Sequence, residues 1–564
     1  MPTTTTSYLG AQGNDESGGG RVGPKRAVTG SRAVCASQHP LVTETMLQVM
    51  RDGGNAIDAT IAGCLLQAVV QQDMTNHTGT VTGLFYEAAT GQIHELKSMG
   101  RIVPDLPSHH RVPGGKGMYA PLGTRGPMSV IPGFMPGMKA MFERFATKPW
   151  DSLVAPAVAA ARDGHIVSSF EHLVHAQTVD FFLYTRSGRE NFTPEGYLPQ
   201  VGELWSQPAL AETLTRLAAE GPDYFITGDW AAHFVARANE LDWPITMDHL
   251  VAAPAKWAEP KRWRHREYEI VQLSPPDRQA VYCAIVLGIL RHLDITTFGH
   301  FSESPEAAYY LGHALRLAHQ ETGFVNDPAI FEDPSSLLMS DDYHAQLAEK
   351  LARSRPKIDL TKHVELTRGR HALDAAGSAS KQPAGSCELS LVDSDGNWVQ
   401  MMNTLQSGGI AGEVVDGVPM VGSHQINSLA SPISGWLTGG AGMRAMLSNT
   451  MVLKDGRPWV ALGSPGNVHC TVPQVLANIV EYGMDPYPAE DMPRMLALTD
   501  DYELSVESRI GADVIDGLAR LGVLVNPLPR YDYHMGSYQM SWRGEDGALH
   551  GCAGPRREGV AAAF

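Results

Sequence analysis

The stretch Ser378-Ala379-Ser380-Lys381-Gln382-Pro383-Ala384-Gly385-Ser386-Cys387-Glu388-Leu389-Ser390-Leu391-Val392-Asp393 decides the fold. Its first part is small, polar and interrupted by proline, which reads as a loop. From Glu388 to Asp393 apolar and polar residues alternate. Asp395-Gly396-Asn397 then makes a tight turn, and Trp398 to Leu405 runs back as the partner. The pattern predicts a β-hairpin whose first strand begins at Ser386-Cys387, with a loop leading into it.

A hydroxyl or thiol is a weak nucleophile at neutral pH unless a base stands beside it, and the residue's own free α-amine is one such base. With an ordinary pKa of about 8, that amine is neutral often enough near physiological pH to take a proton. Ser386 would have to become a chain terminus. Gly385 favours this, because a peptide bond after glycine can twist without a Cβ clash. Most Gly-Ser pairs after a loop simply open a strand, so the local pattern leaves both readings standing.

Upstream, Arg32 to Ser37 reads as a short strand and Leu41 to Asp52 as a helix stopping at Gly53-Gly54. Asn55 to Val70 carries Asp58 as its only charge, which predicts a helix buried on most sides. Gly83 to Glu87 and Ile93 to Met99 resemble strands joined at Thr90-Gly91. Helical stretches follow at Met138 to Phe145, Leu153 to Asp163, Pro208 to Glu220, Ala280 to Leu293 and Pro305 to Gln320.

At 564 residues the chain predicts two domains or one large layered body. A formal net charge of −17 opposes nucleic acid and anionic lipid as partners. The basic residues Lys261, Arg262, Arg264 and Arg266 read as solvated surface. Cys35, Cys64, Cys283, Cys387, Cys470 and Cys552 form no C-x-x-C pair, so a reducing, cytoplasmic setting is expected. Residues 1–31 read as a flexible leader, and neither a signal peptide nor a membrane span is expected. Gly439-Gly440-Ala441-Gly442 lacks the lysine of a phosphate loop, and His39, His77, His109, His110 and His469 show no metal spacing.

Several runs together resemble the gamma-glutamyltransferase family. They are Leu389-Ser390-Leu391-Val392-Asp393, Asp395-Gly396-Asn397, Met451-Val452-Leu453-Lys454-Asp455-Gly456-Arg457-Pro458 and Gly463-Ser464-Pro465-Gly466. Ala36-Ser37-Gln38-His39-Pro40-Leu41 and Gly53-Gly54-Asn55-Ala56-Ile57-Asp58-Ala59 are similar to the family's opening signature. Ile131-Pro132-Gly133, Gln207-Pro208-Ala209-Leu210, Pro275-Pro276, Asp327-Pro328 and Pro555-Arg556-Arg557 follow in the family's order. The resemblance runs from about Arg32 to the carboxyl end. It implies the four-layer αββα sandwich of the N-terminal nucleophile hydrolases and no metal or organic cofactor. It also implies a proenzyme cut into a large subunit, 32–385 behind the leader, and a small catalytic subunit, 386–564.

Carried over residue by residue, Ser386 falls on the family's nucleophilic threonine, where Thr-Thr-His is replaced by Ser386-Cys387-Glu388. Cys387 is the rival nucleophile, but alternation along a strand turns it to the opposite face. Thr404 matches the threonine that hydrogen-bonds the nucleophile. Gly466 and Asn467 fall on the paired glycines of the oxyanion hole. Arg101 matches the carboxylate-binding arginine, with spacing to Pro104 one residue shorter than in the family.

The family's clamp on the glutamyl amino acid is altered. Its serine pair falls on Ala445-Met446, its aspartate on Ser428 and its asparagine on Gln406, while its glutamine is kept as Gln425. Arg101, Gln406, Gln425, Asn427 and Ser428 remain as polar candidates beside Ala445, Met446 and Leu447. A buried ammonium group without its carboxylate partner loses several kcal/mol. Three readings follow. The first is an amidohydrolase acting on a small-molecule amide with a non-glutamyl acyl group, working through an acyl-enzyme on Ser386. The second is a true gamma-glutamyl transferase or hydrolase of glutathione-like amides. The third is an uncleaved, non-catalytic relative. The expected partners are the substrate and the two subunits for each other. A homo-oligomer is also compatible with the sequence.

Overall fold

The computed structural model describes residues 22–104, 131–241, 243–353, 385–405, 412–420, 439–497 and 503–564. Two seven-stranded antiparallel sheets form its centre. The first runs, edge to edge, Val560–Ala563, Val34–Ser37, Cys387–Val392, Trp398–Thr404, Thr80–Glu87, Gln92–Ser98 and Lys256–Ala258. The second runs Val28–Gly30, Leu549–Ala553, Gln539–Arg543, Arg457–Gly463, Thr450–Lys454, Tyr268–Gln272 and Lys261–His265.

Alternation along each strand sorts the side chains into three cores. Leu389, Leu391, Val399 and Met401 face outward against helices Pro40–Arg51, Ala56–Val70, Phe134–Phe145 and Trp150–Asp163. Val392, Trp398, Met402 and Leu84 face inward and meet Val271, Met451 and Ala461 of the second sheet. The outer face of that sheet, with Ile270, Val452 and Leu462, packs on helices Gln279–His292, Pro305–Glu321 and Val468–Val480. The result is the four-layer αββα sandwich.

Helix Ala56–Val70 is buried along its whole length, as its composition predicts, and it starts at a reciprocal cap between Asn55 and Asp58. The Ala56 N–H donates to Asp393 Oδ2 at 2.8 Å, which locks the helix to the hairpin turn. Element ends differ modestly from the sequence reading. The strand expected at Gly83–Glu87 begins at Thr80, and the helix expected at Met138–Phe145 begins at Phe134, with Pro136 tolerated in its first turn. The hairpin's first strand begins at Cys387, because Ser386 has left extended geometry.

Candidate active site

Strand register builds the site. Cys387 pairs with Asn403, so Ser386 emerges beside Thr404, and the two hydroxyl oxygens lie 2.6 Å apart. Thr404 is itself fixed by pairing with Thr80. Gly79 approaches so closely that a Cβ there would stand 2.6 Å from the Thr404 carbonyl oxygen.

Ser386 has φ +86°. A non-glycine residue held there stores on the order of 1–3 kcal/mol of strain, which its surroundings must hold in place. Two hydrogen bonds do so. The Ser386 carbonyl accepts from Arg557 Nη1 at 3.2 Å, and the Gly385 carbonyl accepts from the Gly466 N–H at 3.2 Å. Gly466 has φ +91°, and a Cβ on it would meet the His534 carbonyl oxygen at 3.0 Å. Glycine is therefore required where that donor stands. The turn leads into helix Val468–Val480, whose N-terminal dipole adds positive potential at the Gly385 oxygen.

Asn467 differs from its expected role. Its N–H donates to the His534 carbonyl at 3.0 Å, and its side-chain amide donates to the same oxygen at 3.1 Å. Among the described residues Gly466 alone therefore serves the Gly385 carbonyl, and the second donor is engaged elsewhere.

Cys387 faces the other way, as alternation requires. Its thiol donates to Gln71 Oε1 at 3.4 Å and packs with Met74, Phe170 and Val174. Burial pushes the thiol well above its ordinary pKa. It has neither the position nor the ionisation of a nucleophile.

Glu388 points back between the sheets and is completely buried. It accepts from Gln400 Nε2 at 2.9 Å and Asn449 Nδ2 at 3.0 Å. Burial raises its pKa well above the carboxylate range. A Cβ at Gly463 would meet its Oε1 at 2.1 Å, so the second sheet is shaped around it. The residue ties the strand of Ser386 to the opposite sheet. Sequence reasoning registered Glu388 only as a departure from the family triplet.

Arg101 and Ala445 line one cavity of about 220 Å³, together with Leu447, Glu95, Lys97 and Asp277. Lys97 sits two residues below the level of Thr404 on the same inward face, since Lys97 pairs with Thr82 and Thr82 with Met402. At about 4.8 Å per strand, the cavity stands two to three strands from Ser386 along the mouth between the sheets. Neither Ser386 nor Thr404 lines it. Arg101 Nη1 donates to the Gly440 carbonyl at 3.3 Å. Burial raises Glu95 to about 7 and Asp277 well above its usual range. Met446, expected as an apolar wall, instead packs partly buried in the helix-side core of the second sheet, so Ala445 and Leu447 form the wall. Gln406, Gln425, Asn427 and Ser428 lie outside the described residues.

Among the described residues no three His, Cys, Asp or Glu side chains are grouped to hold a metal ion. No described helix is long and apolar enough to cross a membrane.

Comparison with known proteins places this geometry. The chain is 27% identical over 549 residues to a glutathione hydrolase-like YwrD proenzyme of Bacillus subtilis, covering 95% of this chain and 99% of that protein. It is 25% identical to a glutathione hydrolase proenzyme of Escherichia coli, covering 94% and 91% of the two chains. The crystal structure of a cephalosporin acylase from Bacillus halodurans superposes with a TM-score of 0.81 at 22% identity, covering 96% of this chain and 97% of that one. The gamma-glutamyltranspeptidase family profile matches residues 42–564. With two central sheets, a strand-initial hydroxyl and a match over nearly its whole length, the chain belongs to the gamma-glutamyltranspeptidase family and is an amidohydrolase or acyltransferase of the N-terminal nucleophile type.

Proposed function

We propose that Ser386 is the nucleophile, first on its own chain and then on an amide substrate. The observation that carries this reading is a single arrangement. The Gly385 carbonyl sits on the Gly466 N–H while the Ser386 hydroxyl, one residue on, sits on Thr404. Ser386 Oγ attacks the Gly385 carbonyl carbon through a five-membered ring, and negative charge develops on the oxygen that Gly466 holds. The C–N bond breaks, the nitrogen keeps the proton lost by Oγ, and water opens the resulting ester. The products are subunits of 385 and 179 residues, the second beginning with a free α-amine.

In turnover that amine takes the Oγ proton, Oγ attacks the substrate carbonyl, and the leaving amine departs protonated. Water then releases the acid. Gly466, freed of the Gly385 carbonyl, serves the substrate oxyanion. Thr404 orients Oγ in both reactions.

The acyl group we assign is not γ-glutamyl. Ala445 gives the cavity an apolar surface where the resemblance places the first of the family's two serines, and Leu447 extends it. Intact mass and amino-terminal sequencing of the purified protein test the core of the reading. A terminus at Ser386 is expected, and none in Ser386→Ala. An active enzyme that remains uncut would overturn it.

A further inference from the structure

We propose that Arg557 is a positioning residue whose buried charge keeps the freed α-amine of Ser386 neutral enough to act as the base. The inference rests on the assignment of Ser386 as the nucleophile. It goes further by naming what tunes the amine.

Arg557 is 1% exposed. Its Nη1 donates to the Ser386 carbonyl at 3.2 Å, and its guanidinium lies over the rings of Phe170 and Tyr533, 5.1 and 5.7 Å from their centroids. Within one residue the amide nitrogen and carbonyl oxygen are about 3 Å apart. The guanidinium therefore stands within roughly 6 Å of the nitrogen that becomes the α-amine. A cation at that range, away from water, disfavours a second cation. The ammonium form loses, and the free base gains.

The effect depends on whether neighbouring groups cancel the guanidinium. Asp73, from the turn after helix Ala56–Val70, is 1% exposed, and neither carboxyl oxygen has a hydrogen-bond partner among the described residues. Burial holds it well above the usual carboxylate range. Cys387 and Glu388, on the strand of Ser386, and Glu558 are likewise raised by burial. Tyr533 is raised for the same reason. Asp532 is engaged by His534, whose Nδ1 lies 2.7 Å from its Oδ1, and Glu171 is engaged by His165 at 2.9 Å. Burial lowers Arg557 itself only to about 10, so it stays cationic at neutral pH. The guanidinium that donates to the Ser386 carbonyl thus stays charged beside the Ser386 nitrogen.

The test titrates the amine without needing the substrate. The cleaved wild-type enzyme is carbamoylated with cyanate across pH, and modification of the Ser386 terminus is read by mass spectrometry. The half-point is expected roughly one pH unit below the ordinary α-amine value of about 7.7. Arg557→Gln keeps an N–H donor but removes the charge, and should raise the half-point by roughly one pH unit. Arg557→Lys should leave it near wild type. A wild-type half-point at or above about 7.7 overturns the proposal, as does an Arg557→Gln half-point equal to wild type. A purely structural role for Arg557 would lower activity at every pH and leave the half-point in place. Should Arg557→Gln not fold, the wild-type half-point decides alone. A folded protein with no terminus at Ser386 would show instead that the nucleophile assignment has failed, before any titration begins.

Discussion

Gly466 donates its amide hydrogen to the carbonyl of Gly385 across 3.2 Å, so the bond proposed for cleavage is already polarised by the group proposed to stabilise the substrate oxyanion. One donor serves two reactions in succession. The strain at Ser386, with φ +86°, is stored beside the same bond and is released when the bond breaks.

That economy makes Gly466 sensitive. Gly466→Ala must adopt φ +91° with a Cβ 3.0 Å from the His534 carbonyl oxygen. The turn will shift and carry the N–H away from Gly385. Losing one such donor typically costs about 10²–10³ in rate. The expected result is a folded chain whose 385- and 179-residue products accumulate at least about a hundredfold more slowly on a denaturing gel. Wild-type cleavage kinetics in this variant would remove Gly466 from the mechanism.

Cys387 provides the complementary test. Its thiol is buried among Met74, Phe170 and Val174 and points away from Ser386. Cys387→Ala is expected to cleave itself and to turn over within a few-fold of wild type, with a stability loss of about 1 kcal/mol for the emptied volume. The native thiol should also resist alkylation until the protein is unfolded. Loss of turnover in Cys387→Ala with normal stability would transfer the nucleophile by one residue.

The hairpin, the buried helix Ala56–Val70 and the opposite facing of Ser386 and Cys387 were legible because each is set by local periodicity or by alternation, which a single sequence displays. Thr404 was legible by resemblance, and register then explains its position, since the pairing of Cys387 with Asn403 brings it level with Ser386. What was not legible depends on contacts distant in sequence. Arg557 reaches Ser386 across 171 positions, and Glu388 finds Asn449 across 61. No window of sequence contains either pair. Asn467 shows a different limit, because replacing a glycine keeps an N–H but does not fix its direction, and here that direction is toward His534. Met446 shows another, since two adjacent residues carried over as a pair end apart, Ala445 in the cavity and Met446 against the helix-side core of the second sheet.

Glu388 gives a pH prediction with a definite sign. Burial raises its folded pKa above the unfolded value of about 4.3, so the folded state holds a proton that the unfolded state has released. Its contribution to stability is fully present below the unfolded pKa and is lost as pH rises toward the folded one. Glu388→Gln keeps the shape and removes the titration. Urea unfolding should therefore show the variant gaining on wild type between pH 5 and pH 8, by about 1.4 kcal/mol for each pH unit that lies between the unfolded and folded pKa values. A difference that does not change with pH would show that Glu388 is ionised in the fold.

The last prediction concerns the acyl group. The cavity-facing member of the altered serine pair is Ala445, because Met446 packs into the helix-side core. A γ-glutamyl substrate would bring an α-ammonium and an α-carboxylate to this mouth. There it would meet Ala445 and Leu447 where the resemblance leads one to expect a serine hydroxyl at 445. Losing a hydroxyl hydrogen bond to a desolvated charged group costs up to about 3 kcal/mol, a loss of about a hundredfold in kcat/KM. For the cleaved enzyme, γ-glutamyl-p-nitroanilide is therefore expected to be about a hundredfold poorer than acyl anilides that lack the α-amino group. Ala445→Ser should narrow the gap by returning one hydroxyl, and Met446→Ser should not, because it empties a packed position and adds nothing to the cavity. Efficient γ-glutamyl turnover by the unaltered enzyme would restore a glutathione-like amide as the substrate. It would leave Ser386, Thr404 and Gly466 in the roles proposed for them.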